Sequence, residues 1–134
     1  MWLQPKKTKY KKVHKGKLYK YNFRSNNLKF GSIGLKAIKS GTISSRHIEA
    51  ARQAIVRKLN RKGKLWIKIF PTIPITSKPT EVRMGKGKGN VSHWSVKVSA
   101  GTVLFEVGGI VKNVAITAFE TGGAKLPVKT AILY

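Results

Sequence analysis

The sequence has no cysteine and very few acidic residues. Its 134 residues contain four glutamates, no aspartate and no cysteine. The absence of cysteine excludes disulfides, thiolate metal ligands and a cysteine nucleophile. General acid–base catalysis and metal binding both need grouped polar ligands, and the glutamates and the three histidines are scattered along the chain. We therefore expect no enzymatic activity, no metal, no cofactor and no small-molecule substrate.

Long apolar runs are also missing. No stretch approaches the roughly 20 apolar residues of a transmembrane helix, so we expect no membrane partner. The first residues, MWLQPKKTKYKKVHKGK, contain no apolar segment of the kind found in secretory signals. They also contain no arginine, which is unlike a mitochondrial presequence. The expectation is a protein that works in the compartment where it is made.

Positive charge dominates what is present. There are 28 lysines and arginines against four acids, which gives a net charge of +24. So large an excess repels itself unless a polyanion neutralises it. The candidate partners are nucleic acid, an anionic membrane and an acidic protein, and a merely solvated surface is a poor account of this excess.

The chain divides into a basic arm and one domain. Residues 1–29 carry ten lysines or arginines, no acid and no sustained apolar period, which is typical of an extended arm ordered by its partner. Aromatic residues among the lysines favour contact with bases or with the protein body; they are Tyr10, Tyr19, Tyr21 and Phe23. Residues 30–134 are predicted to form a single domain.

The first half of this domain is predicted to contain an irregular strand and a helix. The strand is FGSIGLKAI, residues 30–38, and SGTISS breaks it. Ser44 or Ser45 is predicted to cap the helix, with Glu49 in its first turn and Gly63 as its stop. The buried stripe comprises Ile48, Ala51, Ile55 and Leu59, and the basic face comprises Arg46, Arg57, Lys58 and Arg61.

The second half is predicted to be mainly β. Residues 64–70 form a strand with Leu65, Ile67 and Ile69 on one side, and the proline-containing segment after it suits an edge strand or loop. Residues 93–98 and 102–107 alternate around SAG and predict a hairpin. A second helix follows, which Gly122 and Gly123 close early, and KLPVKTAIL is a final strand. The buried face of this helix is predicted to comprise Val111, Val114, Ala115, Ala118 and Phe119. The predicted fold class is α+β, a mainly antiparallel sheet with two packed helices.

The segment RMGKGKGNV forms a glycine- and lysine-rich loop. Its spacing matches neither the phosphate-binding loop of nucleotide hydrolases nor the dinucleotide fingerprint. A backbone without Cβ atoms can approach a sugar–phosphate chain closely and direct its N–H groups at phosphate. A flexible solubilising loop is the plain alternative. The candidate contact residues are Arg83, Met84, Gly85, Lys86, Gly87, Lys88, Gly89 and Asn90.

Several segments in order resemble one protein family. LQPKKTKYKKVHKGK, FGSIGLKAI, SSRHIEAARQAI, GKLWIKIFP, EVRMGKGKGNV and AKLPVKT are similar to the bacterial-type large-subunit ribosomal protein sixteen family, over nearly the whole chain. The resemblance implies an α+β fold and binding to large-subunit ribosomal RNA beside neighbouring ribosomal proteins. It also implies that loop 83–90 reaches toward A-site transfer RNA. The arm residues that it places on ribosomal RNA include Lys6, Lys7, Lys9, Lys11, Lys12, His14 and Lys15.

The chain departs from the family pattern at several points. Trp2 is an insertion, KLYKYNFRSNN replaces a segment usually richer in glycine and arginine, and ETGGAK stands where an alanine-rich helix end is usual, so we expect an early or frayed end there. Lysine greatly outnumbers arginine, which suggests an AT-rich genome. We expect a mitochondrial ribosomal protein, with a plastid or bacterial cytoplasm as alternatives.

Two other functions are compatible with the positive net charge. A DNA-coating architectural protein is one, although the sequence shows no basic recognition helix in a helix-turn-helix setting. A membrane-surface effector is the other, although the predicted sheet needs the apolar face of the helix in residues 44–62.

Overall fold

The computed structural model describes residues 3–18 and 21–134. Trp2 and Tyr19, which entered the sequence predictions, lie outside these ranges. Within them the chain forms seven strands and two helices. In order these are β1 (Ile33–Ala37), β2 (Gly41–Ser44), α1 (Ser45–Lys58), β3 (Lys64–Ile67), β4 (Ile73–Ser77), β5 (Asn90–Val98), β6 (Val103–Gly108), α2 (Lys112–Gly123) and β7 (Thr130–Leu133).

The strands form two antiparallel sheets. The first has the order β3-β6-β1-β7 and the second has the order β2-β5-β4. The predicted α+β class is confirmed, with two sheets where the sequence suggested one. The proline-containing segment is an edge strand, as its prolines suggested. Residues 41–44, which were predicted to break the first strand, form β2 instead.

The predicted hairpin at SAG is wrong. Its two strands are β5 and β6, and they belong to different sheets. The chain turns a corner there, where the N–H of Gly101 donates to the carbonyl of Ala37 at 2.7 Å. A short glycine loop between two alternating segments fits a corner as well as a hairpin, so the sequence pattern cannot separate the two.

Helix α1 follows its sequence signals closely. The hydroxyl of Ser44 accepts from the backbone N–H of His47 at the N-terminus. The four predicted apolar positions are all buried in the core, at Ile48, Ala51, Ile55 and Leu59.

Two details of α1 differ from prediction. Glu49 lies beyond the first turn, where it pairs with Arg52 instead of meeting the helix dipole. The helix ends before Gly63, because Asn60 and Arg61 already adopt left-handed φ angles of 49° and 60°. Asparagine tolerates this conformation better than most residues.

Helix α2 follows its prediction in part. Ala115, Ala118 and Phe119 are buried as predicted, together with Gly122, whereas Val111 and Val114 are 71% and 45% exposed. The helix includes both of its glycines and ends at the second, Gly123. A Cβ on Gly122 would lie 2.4 Å from Cγ1 of Ile55. The glycine therefore lets α2 approach α1 closely, instead of ending the helix.

The central strand β6 is buried on both sides, from Val103 to Val107. Apolar side chains from both sheets and both helices join it in one core. The glutamate in its middle, Glu106, is fully buried. The proposed division into an arm of residues 1–29 and a domain of residues 30–134 stays a prediction.

Candidate nucleic-acid interface

The arm lies on the protein body without forming a helix or strand in residues 3–18. Leu3 packs against the core, which fixes its first described residue. The seven arm positions predicted to bind RNA are all exposed: Lys6, Lys7, Lys9, Lys11, Lys12, His14 and Lys15. Their charges therefore face outward while the backbone follows the body.

The arm and the glycine–lysine loop are joined by a reciprocal pair of hydrogen bonds. The Lys12 ammonium donates to the carbonyl of Lys88 at 2.8 Å. The Lys88 ammonium donates back to the carbonyl of Val13 at 2.7 Å. The structure thus brings two predicted sites, far apart in sequence, into one surface.

Lys97 extends this surface, and sequence reasoning did not select it. Its ammonium donates to the carbonyl of Gly16 at 3.1 Å. The sequence signal for it was its position in β5, where it alternates with Val96 and Val98. We call the region formed by residues 12–16, the loop 83–90 and Lys97 the arm–loop surface.

The tip of the loop has an unusual backbone. Gly85, Lys86 and Gly87 have consecutive φ angles of 94°, 53° and 87°. A Cβ on either glycine would meet nothing within 4 Å. These glycines are therefore required by conformation and not by crowding within the protein, and their exposed backbone faces open space. The Lys78 ammonium donates to the carbonyl of Gly85 and supports the tip.

The remaining loop residues differ in role. Arg83 and Met84 are exposed, the latter completely. A Cβ on Gly89 would lie 2.4 Å from the carbonyl oxygen of Ser77. Gly89 therefore allows the base of the loop to approach β4 closely. Only Gly85 and Gly87 leave their backbone open to a partner. Asn90 begins β5 opposite Ser77.

The basic face of α1 is exposed as predicted, at Arg46, Arg57, Lys58 and Arg61. Arg46 lines a groove with the start of the arm and with His93 of β5. Arg57 and Arg61 line a separate hollow with Arg52, formed by the second half of α1 and the residues that follow. Arg46 of the basic face therefore lies in a groove beside the arm, and Arg57 and Arg61 lie in a separate hollow.

The glutamates neutralise little of the positive surface charge. The Arg52 guanidinium grips Glu49 with two hydrogen bonds, at 2.7 and 2.9 Å, and holds the pKa of Glu49 below its ordinary value. Glu106 is buried. Only Glu81 and Glu120 are exposed acids among the described residues. Exposed lysines and arginines therefore far outnumber exposed acids among the described residues.

Glu106 connects the end of the arm to the sheet. Its carboxylate accepts from the backbone N–H groups of Lys29, Phe30 and Gly31, the shortest at 2.7 Å, and lies 3.5 Å from the Lys68 ammonium. Burial by itself raises the pKa of this carboxyl group, but the three N–H donors and Lys68 outweigh burial, so the pKa of Glu106 lies below its ordinary value. The charged carboxylate is the form that holds the arm.

The residues that the structure describes also bear on metal binding and membrane insertion. They contain no group of three acidic, histidine or cysteine residues able to hold a metal ion. In the same part of the chain no helix combines the length and apolarity needed to cross a membrane.

Fold and surface together define an α+β protein with a cationic arm and loop on its surface. Residues 5–133 match the family model described as ribosomal protein L16p/L10e. The curated relatives include proteins named "Large ribosomal subunit protein uL16" from Bartonella quintana (strain Toulouse), at 49% identity, Bartonella henselae (strain ATCC 49882), at 50%, and Maricaulis maris (strain MCS10), at 51%. Each alignment covers 98% of this chain and 96% of the relative. This chain belongs to the ribosomal protein L16p/L10e family, whose members are structural proteins and not enzymes.

Proposed function

We propose that this chain binds folded large-subunit ribosomal RNA through the arm–loop surface and the basic face of α1. Its family membership makes it a structural constituent of the large ribosomal subunit. The observation that carries the proposal is the reciprocal bonding of Lys12 and Lys88, which makes one cationic surface from two separate segments.

The mechanism is electrostatic and geometric. The exposed lysines of the arm replace counterions around RNA phosphates, which gives affinity that depends strongly on salt. Phosphate contacts position the protein, and the shape of the folded RNA provides specificity. The two sheets and helices are the rigid platform that fixes these charges.

The loop tip is assigned to the most confined part of the RNA site. Its bare backbone at Gly85 and Gly87 lets N–H groups approach phosphate oxygens, while Lys86 supplies a mobile charge and Arg83 a planar fork. We propose that this tip helps shape the region that receives A-site transfer RNA. Neighbouring ribosomal proteins are further partners in this assignment.

The ribosome concerned is proposed to be mitochondrial. The excess of lysine over arginine, together with the frequent isoleucine and asparagine, favours an AT-rich genome of the kind found in organelles. The three relatives named above are bacterial, which favours the alternative of a bacterial cytoplasm, and a plastid is the third choice. Fractionation of source cells, with the tagged protein followed by immunoblot, distinguishes the three.

Gradient sedimentation of the tagged full chain tests the function. We expect it to sediment with large ribosomal subunits at low salt and to leave them in dissociating salt. A DNA-coating protein takes the same charge but sediments with the nucleoid, and a membrane-surface protein floats with vesicles even in the presence of excess ribosomal RNA. Either of those distributions contradicts the proposal.

A further inference from the structure

An aromatic hollow lies beside β3, apart from every residue discussed as an RNA contact. It is lined by Phe30, Ser32, Gly63, Lys64, Trp66, Gly108 and Gly109. The rings of Phe30 and Trp66 are nearly parallel, with an interplanar angle of 19° and centroids 6.1 Å apart. Phe30 is 62% exposed, so this large apolar ring is available to a partner.

Two lysines flank the aromatic pair. The Lys68 ammonium lies 4.2 Å from the centroid of the Phe30 ring, and the Lys64 ammonium lies 5.4 Å from that of Trp66. Lys64, Trp66 and Lys68 alternate with Leu65 and Ile67, which pack toward the core. The alternation of the strand therefore puts cations and ring on the same side, away from the core.

Contacts with the buried Glu106 hold the residues around the hollow in place. Glu106 fixes the backbone N–H of Phe30 at 2.7 Å and also pairs with Lys68, so one buried carboxylate positions both the ring and a flanking cation. Glycine also leaves the Trp66 ring uncovered, because a Cβ on Gly108 would lie 3.2 Å from Cζ3 of Trp66.

We propose that this hollow binds an unstacked base of single-stranded ribosomal RNA, with the exposed Lys64 on the adjoining phosphate. Aromatic rings stack on any base, and cations beside them suit the backbone of the same strand. No acidic side chain lines the hollow, and Glu106 beneath it is buried and paired, so the charge suits an anion. The inference rests on the proposed function and adds a second, stacking type of contact to it.

The test uses the full chain and two short probes, an oligoadenylate and an abasic oligonucleotide of the same length. Phe30→Ala removes the ring but leaves the backbone bonds to Glu106. We expect it to bind oligoadenylate roughly 5- to 150-fold more weakly, the range observed for loss of base stacking. Its affinity for the abasic strand is expected to be unchanged, and Phe30→Tyr is expected to retain binding to both. Phe70→Ala, which also removes an exposed phenylalanine but lies outside the hollow, is the matched control.

The outcomes separate this inference from the proposed function. Suppose that the unaltered protein binds large-subunit RNA, and that Phe30→Ala and the unaltered protein bind oligoadenylate with equal affinity. The proposed base site is then wrong, and the proposed function stands. If the unaltered protein ignores large-subunit RNA at low salt, the function itself fails. A photoreactive phenylalanine analogue at position 30 is expected to crosslink to RNA in assembled subunits. Crosslinking to a protein instead overturns the base site.

Discussion

The ammonium of Lys88 donates a hydrogen bond to the backbone carbonyl of Val13, a residue 75 positions earlier in the chain. Lys12 returns the contact to the carbonyl of Lys88. Each ammonium uses one donor on a carbonyl and keeps others for a ligand, since a lysine ammonium has three donors. The contact therefore orders the arm against the loop without neutralising either charge.

Lys88→Gln is expected to weaken both RNA binding and the attachment of the arm. Lys86→Gln is the matched control, because it removes the same charge from the loop tip and leaves the bond between Lys88 and Val13 in place. Each variant is expected to reduce the salt slope of RNA binding by about 1, because one lysine no longer neutralises a phosphate. Only Lys88→Gln is expected to increase proteolysis within residues 12–17. Equal proteolysis of both variants contradicts the coupling of arm and loop.

Glu106→Gln is expected to destabilise the fold by about 1–3 kcal/mol, because three N–H donors lose a charged acceptor and Lys68 loses its partner. Chemical denaturation measures this change. Glu120→Gln removes an equal charge from an exposed site of α2 and is expected to stay within about 0.5 kcal/mol of the unaltered protein. Similar losses in the two variants contradict the assigned role of Glu106.

The same carboxylate gives a pH dependence of stability. Its pKa is lower in the folded state than in the unfolded chain. The unfolded chain therefore binds the proton more readily below the ordinary glutamate pKa of about 4.3. The contribution of Glu106 is complete above that value and is lost as the pH falls through the folded pKa. Denaturation midpoints measured from pH about 6 downward are expected to fall less steeply in Glu106→Gln than in the unaltered chain.

Gly122→Ala is expected to destabilise the protein by about 1–3 kcal/mol, although alanine is the better helix former, because its Cβ meets Ile55 at the α1–α2 contact. Combining it with Ile55→Ala removes the clashing side chain. The double variant is expected to lose less stability than the sum of the single variants. Strict additivity in thermal or chemical denaturation contradicts the close helix approach.

The loop glycines are expected to respond differently to alanine. Gly85→Ala forces alanine into a φ angle of 94° at an exposed tip, so it is expected to reduce RNA affinity and to cost about 1 kcal/mol of stability through backbone strain alone. Gly89→Ala places a Cβ against the Ser77 carbonyl and is expected to cost about 1–3 kcal/mol of stability. Denaturation curves and RNA titrations of both variants check the distinction, and the reverse order contradicts it.

Local signals predicted local structure well. Helix α1 follows from a capping serine and a period of apolar residues, and both depend only on neighbours in the chain. The hairpin error arose because strand pairing depends on distant partners, and both β5 and β6 find theirs elsewhere. Val111 and Val114 were assigned to the same buried face as Ala115, Ala118 and Phe119, but only the latter three are buried, because the buried face extends toward Gly122 at the α1 contact and not toward the start of α2.

The candidate interface was predicted in its parts and not in its assembly. Charge and glycine spacing selected the arm and the loop, and their exposure in the structure agrees with that selection. Their mutual contact depends on the path of the arm across the body, which no short-range pattern encodes. Glu106 was missed for the same reason, because its partners, Lys29, Phe30 and Gly31, lie more than seventy residues earlier.

The salt dependence of binding between the purified full chain and large-subunit RNA tests the central claim most directly. If about ten phosphates are neutralised, the affinity is expected to fall by about five decades between about 50 and 200 mM salt on the duplex slope, and somewhat less on single strands. A matched neutral polymer is expected not to bind. An affinity for the RNA that hardly changes across this range contradicts the claim that the cationic excess serves to neutralise folded RNA.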